Sequence, residues 1–250
     1  MKAAVESGDA KKVAELIRQD PGFDVNKQDG AGRTLLHYAC LGDSRSAVIP
    51  LLLAYHDIDV NLKDIYRHSP FNWACCGRTS CFRELMKDSR VDVNEPGSYG
   101  RTSLWSAAFV GRLDIVKWWI ASGREMDLGK PGERRTDVIG VAKGRGKAEA
   151  VTLLERFKSD AAKTRHAVRV ELSWYDEAAA EMFALVVFVS DGLLQVNDTT
   201  LSPAARFFSI AAQLPLELQM VLCYRVMGSA KEIILGKESE AAFKELARKL

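Results

Sequence analysis

The chain is poor in the features that mark a membrane-spanning, secreted or catalytic protein. Its longest apolar run, Met182-Phe183-Ala184-Leu185-Val186-Val187-Phe188-Val189, is bounded by Glu177, Glu181 and Asp191. It falls far short of the roughly 20 apolar residues a spanning helix needs and reads instead as a buried helix. Five cysteines among 250 residues, Cys40, Cys75, Cys76, Cys81 and Cys223, do not make a disulfide framework. Cys40, Cys75 and Cys76 fall at or beside positions that ask for small residues, where a reduced thiol serves as a small hydrophobe, and this points to a reducing compartment. His68 with Cys75, Cys76 and Cys81 lacks paired Cys-x-x-Cys spacing, and adjacent cysteines on one helix point apart, so packing outweighs zinc. An excess of charge of one sign is missing too. With 35 basic and 33 acidic residues the net charge is +2, without the concentrated basic face of a nucleic-acid binder.

Catalytic motifs are equally scarce. There is no Gly-x-Ser-x-Gly elbow, no His-Glu-x-x-His helix and no kinase signature. The segment from Gly140 to Lys147 imitates a phosphate loop, but Val141 stands where its first glycine belongs, Ala148 replaces the hydroxyl residue, and no strand precedes it. No catalytic, cofactor-binding or metal-ligating residue is assigned, and the chain is read as non-enzymatic. Charged residues follow Met1-Lys2-Ala3-Ala4-Val5 at once, so no signal peptide is expected there, and the Asn197-Asp198-Thr199 sequon matters only for a secreted chain. A cytoplasmic or nuclear location is the expectation.

Repetition is abundant. Four tetrads, Thr34-Leu35-Leu36-His37, Ser69-Pro70-Phe71-Asn72, Thr102-Ser103-Leu104-Trp105 and Thr136-Asp137-Val138-Ile139, begin 35, 33 and 34 positions apart. A period in this range belongs to stacked helix-pair repeats. Thr or Ser at each start caps orphan N–H groups, and Pro70 sits in the first turn, where its missing N–H costs nothing. After Thr102 come Ala107 and Ala108 for close packing, Gly111 for a turn, and Asp114 to Ile120 for a second helix. Asp24-Val25-Asn26, Asp59-Val60-Asn61 and Asp92-Val93-Asn94, with Gly30, Gly97, Gly100 and Gly132, punctuate the gaps as hairpin tips. The tetrads resemble the Thr-Pro-Leu-His signature of ankyrin repeats, which implies an all-α solenoid that displays surfaces rather than doing chemistry. About five units span 1–157, the first truncated and the last degenerate.

Several units depart from the pattern. Gly42 arrives one position early, and Pro50 kinks the second helix of its unit or marks a late start. Trp105 and Ile139 replace the histidine that ties ankyrin units together, so those junctions should rely on apolar packing; His37 keeps the structural role. Gly140, Gly144 and Gly146 should make the fifth unit the least stable, since an interior helical glycine costs about 1 kcal/mol relative to alanine. Trp118 and Trp119 take the paired-leucine positions of a second helix, with Trp118 assigned to the core. In ankyrin arrays the tips and exposed faces of first helices form a concave surface. The resemblance therefore implies Tyr38, Trp73 and Phe109, with Tyr66, Arg67, Tyr99 and Arg101 near the tips, as partner-binding residues. Aromatics and arginines are what interface hot spots favour. Completion of the repeat core is the other reading of Trp73 and Phe109.

Beyond Phe157 the period is lost. A helix from Ser159 to about Leu172, a second from Glu177 to Val189 capped by Asp176, and capping helices generally are expected over 158–200. A helical segment over 201–250 then opens at Ser202-Pro203. Leu214-Pro215-Leu216-Glu217-Leu218 resembles the opening of an F-box, and poxvirus ankyrin proteins end in a shortened segment of this kind. Carried by Leu214, Pro215, Glu217, Leu218 and Leu222, this likeness implies docking on a ubiquitin-ligase adaptor. Proline at a helix start with glutamate soon after is also ordinary capping chemistry, which leaves a helical packing domain as the alternative. The expected partner is another protein, with no cofactor, no nucleic acid, no membrane and a monomeric chain.

Overall fold

A computed structural model describes residues 1–20, 22–133, 136–194, 203–227, 234 and 236–249. Helices account for the regular structure of the described residues, which contain no strand. The chain divides into two compact units, Met1–Val168 and Arg169–Leu250.

The first unit holds five helix pairs among its described residues. They are α1 (Lys2–Ser7) with α2 (Ala10–Gln19), α3 (Leu35–Ala39) with a 3-10 turn (Asp43–Val48) running into α4 (Ile49–Leu53), α5 (Pro70–Cys75) with α6 (Thr79–Lys87), α7 (Ser103–Val110) with α8 (Leu113–Ser122), and α9 (Val138–Gly144) with α10 (Ala148–Ser159). The starts follow from local chemistry. Ser69 Oγ accepts from Asn72 N–H at 3.3 Å and Thr102 Oγ1 from Trp105 N–H at 3.2 Å. In the fifth pair the cap moves one residue on from Thr136. Asp137 Oδ1 accepts from Gly140 N–H at 2.7 Å, while Thr136 Oγ1 accepts from Lys130 N–H at 3.3 Å in the preceding loop. Pro50 marks a late start, since α4 begins only at Ile49. The phosphate-loop imitation falls largely inside α9, a regular helix.

Packing follows the helical period. In α8 the buried residues are Ile115, Val116, Trp119, Ile120 and Ala121. This corrects the placement of Trp118: the 3.6-residue turn puts Trp119 on the face of Ile115 and Val116, and Trp118 lies half-buried with the Arg83 guanidinium 3.8 Å from its ring. Trp119 joins Phe71 and Phe82 in an aromatic cluster with centroid separations of 5.4 to 5.8 Å. Ala107 and Ala108 are fully buried, and Gly111 closes α7 in the left-handed region at φ 86°. Cys40, Cys75 and Cys81 are buried; Cys81 Sγ donates to the Gly42 carbonyl at 3.3 Å, and burial pushes its thiol up to about 12. The helix α11 (Ala161–Glu171) starts two residues later than expected, at a cap in which Asp160 Oδ1 accepts from Lys163 N–H at 2.9 Å.

The second unit contains α12 (Trp174–Ser190), α13 (Pro203–Ala211), α14 (Leu216–Val226) and α15 (Gly236–Lys249). Asp176 does not cap α12. The helix begins at Trp174, with Ser173 at its N-cap, and Asp176 is a buried residue of its first turn. Ala179, Ala180, Phe183, Ala184 and Val186 of α12 form the core with Ala211, Cys223, Tyr224 and Ala242, so the apolar run is a central, largely buried helix. The Asn197-Asp198-Thr199 sequon, Ser202 and most of 228–235 lie outside the described residues.

Candidate functional site

Between the first four helix pairs the chain forms three hairpin tips, 29–33, 64–68 and 97–101, each closed by the same bond. Asp29 N–H donates to the Arg33 carbonyl at 3.0 Å, Asp64 N–H to His68 at 2.9 Å, and Gly97 N–H to Arg101 at 2.8 Å. In the first two tips the aspartate folds the loop onto itself. Asp29 Oδ1 accepts from Ala31 and Arg33 N–H at 2.9 Å each, and Asp64 Oδ1 from Tyr66 and His68 N–H at the same distance. The other carboxylate oxygen fastens the tip to the helix behind it: Tyr38 hydroxyl donates to Asp29 Oδ2, and Trp73 Nε1 to Asp64 Oδ2 at 3.2 Å. The Tyr38 hydroxyl, then the Arg33 N–H, hold the Asp29 carboxyl at about 2.

The third tip breaks this scheme at both ends. Gly97 occupies the aspartate position and Ser106 the position of Tyr38 and Trp73. Tyr99, at its apex, is in the left-handed region at φ 62° and 73% exposed. Where a carboxylate and a ring would stand, a hollow of about 360 Å³ opens, lined by Tyr66, His68, Trp73, Gly97, Tyr99, Arg101 and their neighbours. One further irregularity lies beside it. Gly32 and Gly100 are left-handed at φ 72°, and the equivalent residue of the second tip, equally left-handed at φ 64°, is Arg67.

Rigid ties hold these tips in register. His37 Nδ1 accepts from Thr34 N–H at 3.1 Å, which leaves Nε2 to carry the proton it donates to the His68 carbonyl, 3.0 Å away in the next unit. Burial lowers the pKa of this ring. Asn72 Nδ2 continues the tie to Ser103 Oγ at 2.5 Å. At the Trp105 junction the buried indole N–H has no partner among the described residues; the ring stacks on Phe109 of the same helix at 5.1 Å, with the Arg101 guanidinium 4.3 Å from its centroid. A second ladder runs through the Asp-Val-Asn segments. Asn26 Nδ2 donates to the Asp57 carbonyl at 2.7 Å and Asn61 Nδ2 to that of Arg90 at 2.8 Å, while Asn26 and Asn61 Oδ1 accept from Asp59 and Asp92 N–H.

Of the residues expected to bind a partner, the structure gathers Tyr66, Trp73, Tyr99 and Arg101 around the hollow. Arg67 is exposed beside Tyr66. Tyr38 is 8% exposed, with the Lys2 ammonium 3.9 Å from its ring centroid. Phe109 is half-buried under the Arg145 guanidinium at 3.9 Å, three residues out of register with Tyr38 and Trp73 in their units. Sequence reading missed His68, Asn72 and Gly97. Their signal was the joint loss of aspartate and aromatic at a fixed nine-residue spacing. In the second unit Pro215 is the N-cap of α14, Glu217 lies in its first turn, Leu218 is 51% exposed, and Leu214 and Leu222 are half-buried. Among the described residues no helix is long and apolar enough to cross a membrane.

The comparisons with known proteins agree with this geometry. A family model described as ankyrin repeats (3 copies) matches residues 1–97 and 51–130. The chain is 26% identical over 98 residues to an ankyrin repeat protein of Rickettsia bellii (strain RML369-C), a match covering 39% of this chain and 54% of the relative. It is 34% identical over 104 residues to alpha-latrotoxin-Lg1a of Latrodectus geometricus, covering 41% of this chain and 8% of the toxin. The chain thus matches about half the length of one relative and a small part of the other.

Proposed function

This chain belongs to the ankyrin-repeat family, whose repeats are generally protein–protein interaction modules, and we propose that it is a non-enzymatic adaptor that grips a partner protein across its second and third tips. One observation carries the reading: the bracing repeated at the first two tips is withdrawn at the third, and the hollow left behind is walled by Tyr66, Trp73, Tyr99 and Arg101. A surface held by inter-repeat hydrogen bonds loses little conformational freedom on binding, so a few aromatic and arginine anchors suffice. Five free thiols suit a cytoplasmic or nuclear location. The test is a photo-reactive residue introduced at position 99 or, as control, at the exposed Lys11 of α2. A discrete protein adduct from position 99 alone, lost when Tyr66→Ala is added, supports the reading. Identical adducts from both positions would sink it.

The exposure of Leu216 and Leu218, 52% and 51% at the start of α14, favours a second reading. In it the chain is the substrate receptor of a ubiquitin ligase, with 214–250 docking on the adaptor. Leu218→Asp should then remove ligase subunits from the purified complex while the repeats keep their target. Ligase subunits that stay, or that were never present, would refute it.

A further inference from the structure

Three guanidiniums, Arg33, Arg67 and Arg101, stand at the three tips, and none has an ion-pair partner among the described residues. Two of them lie against rings. Arg33 Cζ is 5.5 Å from the Trp73 centroid, and Arg101 Cζ is 4.3 Å from that of Trp105 and 5.6 Å from that of Tyr99. Stacking satisfies the flat face of a guanidinium and leaves the N–H fork at its edge to grip a carboxylate in bidentate fashion.

The carboxylates nearby are already engaged. Asp29 accepts from Ala31, Arg33 and Tyr38, with Lys2 ammonium at 4.0 Å. Asp64 is 4% exposed with both oxygens bonded, and Glu95 is paired with Lys63. At the tips Lys2, Arg33, Lys63, Arg67 and Arg101 outnumber Asp29, Asp64 and Glu95 by five to three, so the charge there is net positive. Beside these cations, the hollow of about 360 Å³ offers Tyr66, Trp73 and Tyr99 to a large side chain. The cations sit one to a tip, as separate points and not as the continuous basic groove that tracks a phosphate backbone.

Resting on the proposed interaction surface, we infer that the partner segment is an acidic peptide, with carboxylates reaching Arg33, Arg67 and Arg101 and one aromatic or branched apolar side chain seated in the hollow. The test is selection of random displayed dodecapeptides on the full chain, followed by affinity measurement of the synthetic winners. Winners should carry net negative charge around an apolar anchor. Arg33→Gln with Arg101→Gln should weaken them by about ten-fold or more, as should a rise from low to physiological salt, while the double variant still melts cooperatively, a few degrees at most below the parent. Neutral or basic winners that still require Tyr66 and Tyr99 would overturn the acidic assignment and leave the interaction surface standing. Winners indifferent to every tip residue, or none at all, would overturn both. Displacement of acidic winners by a tighter-binding single-stranded oligonucleotide would overturn the peptide assignment in favour of nucleic acid.

Discussion

Arg67→Gly should make the protein more stable and its partner complex weaker. The residue is left-handed at φ 64° where the neighbouring tips have Gly32 and Gly100, both at φ 72°. For an L-residue that conformation costs roughly 1–2 kcal/mol. Glycine removes the cost but frees the unfolded chain, which takes back about 0.4–1 kcal/mol. The side chain is exposed and makes no hydrogen bond or ion pair among the described residues, so its removal subtracts nothing further. The balance is a gain of about 1 kcal/mol. For a repeat unit spanning Met1–Val168 this is a rise in Tm of about 2–4 °C. Denaturant titration of parent, Arg67→Gly and Arg67→Ala separates the terms. Alanine keeps the strain and loses the guanidinium, so it should match the parent within about 0.5 kcal/mol. Glycine no more stable than alanine would refute the claim that strain is stored at this position. Affinity for an acidic peptide should fall with both variants, because the charge is gone in each.

Trp119→Ala, which empties the site between Phe71 and Phe82, should cost about 3–5 kcal/mol in denaturant titration. Trp118→Ala should cost only about 1 kcal/mol, and a reversed order would refute the assignment of the core face. Asp29 makes stability depend on acid pH. Its folded value, about 2, lies below the ordinary carboxylate value of about 4. Its contribution is therefore complete above that ordinary value and declines as pH falls toward the folded one. Tyr38→Phe removes the largest cause of the depression, so the carboxyl titration followed by NMR should move to higher pH. An unchanged midpoint would refute the bond.

Much of the repeat architecture was legible because capping is local chemistry. Ser69 and Thr102 bond to N–H groups three residues on, and such spacings are visible in the chain itself. The misplacements occurred where a choice between near neighbours is settled by tertiary contact. Asp137 replaced Thr136 because the threonine hydroxyl was engaged by Lys130. Trp119 displaced Trp118 because the face of α8 is set by Ile115 and Val116. Asp176 lost its capping role because α12 extends back to Trp174.

The candidate site was legible only as a set of residue types. Tyr66, Trp73, Tyr99 and Arg101 stood out as aromatic and basic, but nothing local says that they surround one hollow. That hollow is produced by what the third tip gives up. An aspartate alone looks like a solvated loop residue, and Asp29 is exposed; its function is visible only with Tyr38, nine residues away. The pair recurs as Asp64 with Trp73 and then turns into Gly97 with Ser106. Losing one partner alone would strand the other: a buried indole N–H or an unbraced carboxylate costs roughly 1–3 kcal/mol. Loss of both together avoids that penalty and leaves an open space beside a strained tyrosine. Such a paired departure adds no stability of its own, and this is why the proposed recognition surface is placed there and not at the better-braced first tip.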